Sequence, residues 1–136
     1  MANEPAKMKM LLVDDSKLVL DLYRLGLSDE LYDKKTATNG REALEIYESW
    51  QPDLIVLDIV MPEVTGFSAL KQIRELEKTN GRHTAIVMAT ALSDKSDIVD
   101  CARLGIQGYI IKPFKHTDIA SRLEGYYTTF QKTPKK

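Results

Sequence analysis

Leu54-Ile55-Val56-Leu57 is an apolar run that lies between Asp53 and Asp58, near the middle of the sequence. A strand with one solvated face alternates apolar and polar residues, so an unbroken apolar run is typical of a strand buried on both faces. Such strands belong to parallel sheets that helices cover on both sides. The run therefore predicts a central strand of an α/β domain, with the carboxylate of Asp58 at its carboxyl end.

Four more strand-like runs lie along the chain, at Met10 to Val13, Lys35 to Ala37, Ala85 to Ala89 and Gly108 to Ile111. A stretch with helical periodicity follows each of the five runs. Five repeats of strand and helix, joined by short connections, are most simply built as a parallel sheet with right-handed crossovers and helices on both faces. We therefore predict a doubly wound α/β domain.

Capping residues mark several of the predicted helix boundaries. Ser16 stands where it would cap the first helix, and Asn39, three residues before Glu42, resembles a capping box at the start of the second. Gly105 would stop the fourth helix.

The apolar positions of the first helix recur at helical spacing and are Leu18, Leu22 and Leu25. We expect this stripe to face the core.

The chain has 136 residues and a formal net charge of −1, with both signs spread along it. This balance gives no electrostatic reason to expect direct nucleic-acid or membrane binding. No apolar run approaches the roughly 20 residues of a membrane-spanning helix, and the sequence starts without a secretory signal, so we expect a cytoplasmic protein. We predict one domain over residues 9–130, with flexible segments at 1–8 and 131–136.

Polar side chains stand at the ends of four predicted strands. Asp14 and Asp15 follow the first strand and Asp58 the third, while Thr90 and Lys112 follow the fourth and fifth. Because the carboxyl ends of parallel strands share one edge of the sheet, we expect these side chains to lie together. Three crowded carboxylates repel one another, and a cation relieves that repulsion. Oxygen ligands without His or Cys favour a hard ion, and we predict Mg²⁺ rather than Ca²⁺ or Zn²⁺.

The same residues suit phosphoryl transfer. Asp58 is the best-placed nucleophile and would form an aspartyl phosphate, with Asp14 and Asp15 holding the metal. Lys112 would add positive charge, and the Thr90 hydroxyl a hydrogen bond. Each residue also has a plainer interpretation. The first two aspartates could cap a helix and Asp58 could accept loop amides. Thr90 could be an ordinary strand residue, and Lys112 a solvated charge.

Four motifs contain these residues, and they are Leu12-Val13-Asp14-Asp15-Ser16, Asp53 to Pro62 with Gly66 after it, Met88-Ala89-Thr90-Ala91, and Gly108 to Phe114. Together they resemble, over roughly Lys9 to Phe130, the receiver domains of response regulators in two-component signalling. The resemblance implies a flavodoxin-like five-stranded sheet with strand order 2-1-3-4-5 and five helices. It covers nearly the whole chain.

The resemblance also implies how the acidic residues divide their work. Asp58 would be the phosphoacceptor and a metal ligand. Asp15 would bind Mg²⁺ directly, and Asp14 mainly through water. The backbone carbonyl of Val60 would be a further ligand.

A phosphorylation-dependent signalling switch, rather than a conventional enzyme, is the implied function. Lys112 would contact the phosphoryl group and join Pro113 through a cis peptide bond. Thr90 and Tyr109 would be the switch pair, although Tyr109 could also cover the sheet edge without rotating. A sensor histidine kinase or histidine phosphotransfer protein would donate the phosphoryl group. The fourth helix, fifth strand and fifth helix would then present a changed surface to a downstream protein target.

Three other functions fit these residues less well. A phosphatase of the haloacid-dehalogenase type needs an Asp-x-Asp motif, which Asp58-Ile59-Val60 does not match. An unphosphorylated interaction module of the same fold would not require the intact acidic set. A flavodoxin-like cofactor binder would need a phosphate loop rich in Ser, Thr and Gly after the first strand. Val60 and Leu92 are apolar and cannot orient an attacking water, so we expect slow self-dephosphorylation.

Overall fold

The structure, a computed structural model, describes residues 6–61, 64–91 and 95–133. Its strands are β1 (Met8–Val13), β2 (Tyr32–Ala37), β3 (Leu54–Asp58), β4 (Ala85–Ala91) and β5 (Gly108–Lys112). Its helices are α1 (Lys17–Gly26), α2 (Gly40–Trp50), α3 (Gly66–Asn80), α4 (Lys95–Leu104) and α5 (His116–Lys132). Pro62, which belongs to one of the four motifs, and Leu92, which is predicted to slow self-dephosphorylation, lie outside the described residues.

The five strands form one parallel sheet, as the strand–helix alternation predicted, in the order β2-β1-β3-β4-β5 that the resemblance implied. The sequence located β2 only from Lys35, whereas the strand begins at Tyr32. Only the two ends of this strand, Tyr32 and Ala37, are buried, because β2 is an edge strand whose middle residues are polar. Its extent is set by parallel pairing with β1, from Met8 beside Tyr32 onward, which no local pattern shows.

Two predicted boundaries differ slightly from the observed ones. Met8 belongs to β1, although the flexible segment was expected to include it. Gln131 and Lys132 belong to α5, although the domain was expected to end at residue 130. β1 begins at Met8 because the backbone of this residue pairs with Tyr32. α5 continues past Phe130, its last apolar residue, to Lys132.

Each face of the sheet carries its own apolar core. On one face α2, α3 and α4 bury side chains that include Tyr47, Ile73 and Cys101. On the other face α1 and α5 bury side chains that include Tyr23 and Leu123. The sheet is therefore covered on both sides, which explains why β3 is buried along its whole length and apolar up to Asp58.

The expected core stripe of α1 is wrong. Leu18 is 71% exposed and Leu25 is 69% exposed, whereas Leu20 and Tyr23 are buried. Both sets of residues have helical spacing, and periodicity alone does not tell which of two apolar stripes meets the sheet. The rotation of α1 is set by its packing against β1 and α5.

Both predicted N-caps are confirmed. The Ser16 hydroxyl accepts a hydrogen bond from the Val19 amide at 3.3 Å, and the Asn39 side chain accepts one from the Glu42 amide at 2.9 Å. The Glu42 carboxylate accepts from the amide and hydroxyl of Thr38, one residue before the cap. Among the described helices, none is both long and apolar enough to span a lipid bilayer.

Candidate functional site

Three carboxylates meet at the carboxyl edge of the sheet. Asp14 and Asp15 directly follow β1, and Asp58 is the last residue of β3, which pairs with β1. One carboxylate oxygen from each residue lies within 4.8 Å of the others. Asp14 is fully buried and Asp58 is 4% exposed, while Asp15 faces solvent. The predicted acidic cluster is thus present, with one side open.

Lys112, the last residue of β5, reaches across the edge of the sheet to this cluster. Its ammonium nitrogen lies 2.8 Å from Oδ2 of Asp14 and 3.2 Å from Oδ1 of Asp58. The expected cis peptide bond between Lys112 and Pro113 is present. The interpretation of Lys112 as a solvated surface charge therefore does not hold, since the ammonium group is paired with two buried carboxylates.

The electrostatics of the cluster disfavour the charged form of Asp58. Burial raises the pKa of Asp58 from its ordinary 3.8 to about 6, and the charge of Asp14 adds to the rise. Lys112 and the Val60 amide act in the opposite direction but do not cancel it. Burial also lowers the pKa of Lys112, but its contacts with Asp14 and Asp58 outweigh that effect and leave the pKa raised. An added cation at the cluster would favour the ionised form of Asp58.

Local backbone contacts hold the two buried carboxylates in place. Oδ1 of Asp14 accepts a hydrogen bond from the Ser16 amide at 2.9 Å, and Oδ1 of Asp58 accepts one from the Val60 amide at 3.3 Å. The loop-amide interpretation of Asp58 is thus correct as far as it goes. The helix-cap interpretation of the aspartates is not supported, because Ser16 is the N-cap of α1.

Gly66 allows the chain to approach Asp58 closely. A Cβ atom at position 66 would lie 1.8 Å from the Asp58 carbonyl oxygen, a backbone atom that cannot move aside cheaply. The Gly66 amide donates to the Ile59 carbonyl at 2.9 Å, which closes the loop between β3 and α3. A larger residue at position 66 would therefore collide with the backbone of Asp58, so the site requires glycine there.

Thr90 and Tyr109 lie on the neighbouring strands β4 and β5. β4 runs to Ala91, so Thr90 is inside the strand rather than after it, and it is 4% exposed. The register pairs Asp58 with Ala89, one residue before Thr90. Tyr109, on β5, is 43% exposed. Val60 is 61% exposed and stands at the rim of the site.

Sequence reasoning missed Tyr23, whose buried hydroxyl has no hydrogen-bond partner among the residues the structure describes. Its ring stacks on Phe114, two residues after Lys112, with centroids 4.9 Å apart. Burial raises the pKa of Tyr23 far above its ordinary value, and the charges of Asp14 and Asp58 raise it further. The only signal in the sequence was helical spacing from Leu20, the other buried position of α1.

The site can hold a divalent ion. Its three candidate ligands are neighbouring carboxylates, and oxygen ligands suit a hard cation. Because Asp15 is exposed, a bound ion could keep part of its water shell. The single lysine does not neutralise three carboxylates. A second positive charge would therefore be bound favourably.

Comparison with known proteins gives consistent matches. Residues 10–124 match the family described as the response regulator receiver domain. The chemotaxis protein CheY of Halobacterium salinarum is 35% identical over 120 residues, which cover 88% of this chain and 97% of that protein. The transcriptional regulatory protein PhoP of Bacillus subtilis, named for alkaline phosphatase synthesis, is 35% identical over 116 residues, which cover 85% of this chain but 47% of PhoP. The chain thus spans about half the length of such longer relatives.

Solved structures show the same architecture. The chemotaxis protein CheY4 of Vibrio cholerae superposes with a TM-score of 0.79 at 30% identity, covering 89% of this chain and 99% of CheY4. The signal receiver domain of a LuxO repressor protein from Vibrio parahaemolyticus gives a TM-score of 0.79 at 25% identity, covering 93% of this chain and 94% of that domain. The acidic edge of the sheet therefore sits on a fold shared with these proteins.

Proposed function

The chain belongs to the receiver domains of response regulators, a family of phosphorylation-dependent signalling switches, and we propose that Asp58 is its phosphoacceptor. The phosphodonor in this proposal is the phosphohistidine of a sensor histidine kinase or of a histidine phosphotransfer protein. The observation that carries the proposal is a buried carboxylate at a strand end, with two further carboxylates within 4.8 Å and an ammonium group at 3.2 Å.

The proposed reaction needs no general base. A carboxylate oxygen of Asp58 attacks the phosphorus atom, the P–N bond to the imidazole breaks, and the imidazole leaves with the bonding pair. The product is an acyl phosphate on Asp58. The domain assists the step by positioning Asp58 through the Val60 amide and by keeping Lys112 beside the reacting oxygen.

Mg²⁺ is the cofactor that we propose for this site. Asp14, Asp15 and Asp58 would hold it, together with the backbone carbonyl of Val60. When bound, the ion neutralises negative charge on the carboxylates and on the phosphoryl oxygens. Lys112, already paired with the two buried aspartates, compensates the further charge that the phosphoryl group brings.

The response of the domain is proposed to pass through Thr90 and Tyr109. The Thr90 hydroxyl would donate a hydrogen bond to a phosphoryl oxygen, and the exposed Tyr109 ring would turn towards the space that Thr90 leaves. The surface of α4, β5 and α5 would then change and bind a downstream protein target. The position of Tyr109 on β5, between α4 and α5 in the chain, supports this route.

A helical phosphodonor protein fits the surroundings of the site. Leu18 and Leu25, with the half-buried Leu22 between them, form an apolar stripe at the outer side of α1, which begins three residues after Asp14. Val60, at the rim of the site, is also exposed. Exposed leucines at helical spacing are typical of a surface that packs against another helix. The stripe would bring such a donor next to Asp58.

Phosphorylation of Asp58 is tested with a small phosphodonor such as acetyl phosphate, added with Mg²⁺ and followed by mass measurement of the intact protein. The wild-type protein should gain the mass of one phosphoryl group. Asp58→Asn should gain none, and chelation of Mg²⁺ with EDTA should abolish the gain in the wild type. Asp33→Asn, at an exposed carboxylate of β2, is the matched control and should behave as wild type. Undiminished phosphorylation of Asp58→Asn would refute the assignment.

A further inference from the structure

The free edge of β5 is covered by two side chains of α5. β5 is the last strand of the sheet, with β4 on one side only. The carbonyl oxygen of Tyr109 accepts a hydrogen bond from the Tyr126 hydroxyl at 3.0 Å and another from Nη2 of Arg122 at 3.2 Å. The same Arg122 nitrogen donates to the Tyr126 hydroxyl oxygen at 3.3 Å. The three groups thus form a closed triangle of hydrogen bonds.

The absence of a side chain at Gly108 makes room for the ring of Tyr126. A Cβ atom at position 108 would lie 2.5 Å from ring atoms of Tyr126, so the ring packs directly on the β5 backbone. Arg122 and Tyr126 are four residues apart on α5 and therefore lie on one face of the helix. Ile119 and Leu123, each three residues before one of these two, lie on the same face and are buried in the core, against which Tyr126 also packs. This face of α5 is therefore held to the sheet by apolar packing and, at Arg122 and Tyr126, by hydrogen bonds to β5.

We propose that Arg122, Tyr126 and the Tyr109 carbonyl form a latch through which α5 follows movements of β5. The latch would fix the backbone that carries Tyr109 and make α5 respond to the acidic site. This second part rests on the proposed function. Arg122 and Tyr126 are then positioning residues, acting on Tyr109 rather than on the phosphoryl group.

The geometry supplies a path for this coupling. Lys112 is three residues after Tyr109 on the same strand, and its ammonium group is bound to Asp14 and Asp58. A phosphoryl group on Asp58 changes the partners of Lys112. Because the two residues lie three positions apart on one strand that is hydrogen-bonded to β4, we expect a displacement at Lys112 to carry to Tyr109. The latch then obliges Arg122 and Tyr126 to move with the Tyr109 carbonyl.

Hydrogen–deuterium exchange on the full chain tests the latch. Without phosphodonor, Tyr126→Phe keeps the ring on Gly108 but removes the hydroxyl, so amides of β5 and of the second half of α5 should exchange about 2- to 10-fold faster. With acetyl phosphate and Mg²⁺, the wild type should change its exchange in both β5 and α5. Tyr126→Phe should be phosphorylated to the same extent, while the change in α5 falls to less than about half.

The control is Tyr127→Phe, which removes a hydroxyl from the next residue of α5, outside the latch, and should leave both results as in wild type. Gly108→Ala should reproduce the loss of the α5 response, because the methyl group displaces the Tyr126 ring. An unchanged α5 response in Tyr126→Phe, or no α5 response in a phosphorylated wild type, overturns the coupling. If the wild type takes no phosphoryl group, the proposed function fails instead, and exchange without phosphodonor alone decides whether the latch exists.

Discussion

Asp58 sits in an environment that disfavours its charge. Its carboxyl group is buried, and Asp14 is close enough to raise its pKa to about 6 despite the nearby ammonium of Lys112. A residue kept for structure alone would not need a carboxylate here, since an amide could accept the Val60 hydrogen bond equally well. We therefore expect the carboxylate to lower stability at neutral pH in the metal-free protein.

We predict that Asp58→Asn stabilises the metal-free protein in a pH-dependent way. The carboxyl pKa is higher in the folded state than its ordinary 3.8, so its favourable effect on folding is complete below about pH 4 and is lost as the pH rises through about 6. Asp58→Asn should raise the free energy of unfolding by about 2–3 kcal/mol near pH 8, and by much less near pH 4.5. Urea unfolding in EDTA measures both values.

The exposed Asp33→Asn change serves as the reference, with an expected effect below about 0.5 kcal/mol at both pH values. A gain for Asp58→Asn that is equal at the two pH values would show that charge burial is not its cause. A loss of stability at about pH 8 would show that the carboxylate contributes favourably to folding.

At the scale of the element, α1 has two apolar stripes and buries only one. Leu20 and Tyr23 pack against the sheet, and the second stripe, with Leu18 and Leu25, faces solvent. A soluble helix with a single role would carry polar residues on its outer side. The outer stripe of α1 is the surface at which we propose that the phosphodonor docks.

Matched alanine substitutions on the two sides of α1 should differ sharply in stability. Leu20 is 4% exposed, so Leu20→Ala should lower the free energy of unfolding by about 2–4 kcal/mol through lost burial and a cavity. Leu25 is 69% exposed, so Leu25→Ala should change it by less than about 0.5 kcal/mol. Urea titrations of the two variants give the comparison. Similar losses in both would mean that α1 is rotated relative to the structure.

On the scale of the whole molecule, the two ends of the sheet carry different kinds of polar cluster. The carboxyl end holds the acidic site, where like charges are crowded. The amino end holds Arg74 of α3, whose guanidinium donates to the Thr84 and Gly105 carbonyls, to the Gln107 side chain and to Glu77. Thr84 directly precedes β4, and Gly105 and Gln107 precede β5, so the hydrogen bonds of Arg74 connect α3 to the start of both strands.

Arg74→Met should therefore affect stability without affecting the acidic site. The Glu77 side chain is only 9% exposed and also accepts from the Tyr47 hydroxyl and the Thr84 amide, so losing its positively charged partner should lower the free energy of unfolding by about 1–3 kcal/mol. The rate and yield of phosphorylation, measured by intact mass where the variant is folded, should match wild type. Arg103→Met removes a 77% exposed ion-pair partner and should cost little in either measurement. Slower phosphorylation of folded Arg74→Met would show that the two ends of the sheet are coupled.

Much of this protein could be read from short stretches of sequence. The apolar run at residues 54–57 and the strand–helix alternation predicted the parallel sheet, the resemblance of the motifs to a known family implied its strand order, and Ser16 and Asn39 predicted two helix starts correctly. Asp14, Asp15 and Asp58 were expected together because parallel strands end at one edge. These features depend on contacts within a few residues or on a rule of chain topology, so local patterns contain them. The catalytic and switch roles of the site residues stay predictions.

The tertiary structure decided what depends on distant partners. The buried side of α1, the full length of β2, the raised pKa of Asp58 and the contacts of Tyr126 with β5 all arise from packing between elements far apart in the chain. Lys112 and Asp14 show the reason most clearly, since 98 residues separate them in sequence and 2.8 Å separate their charged atoms. A residue's type and spacing determine which element it joins, but its burial and charge environment are set by whichever elements fold against it.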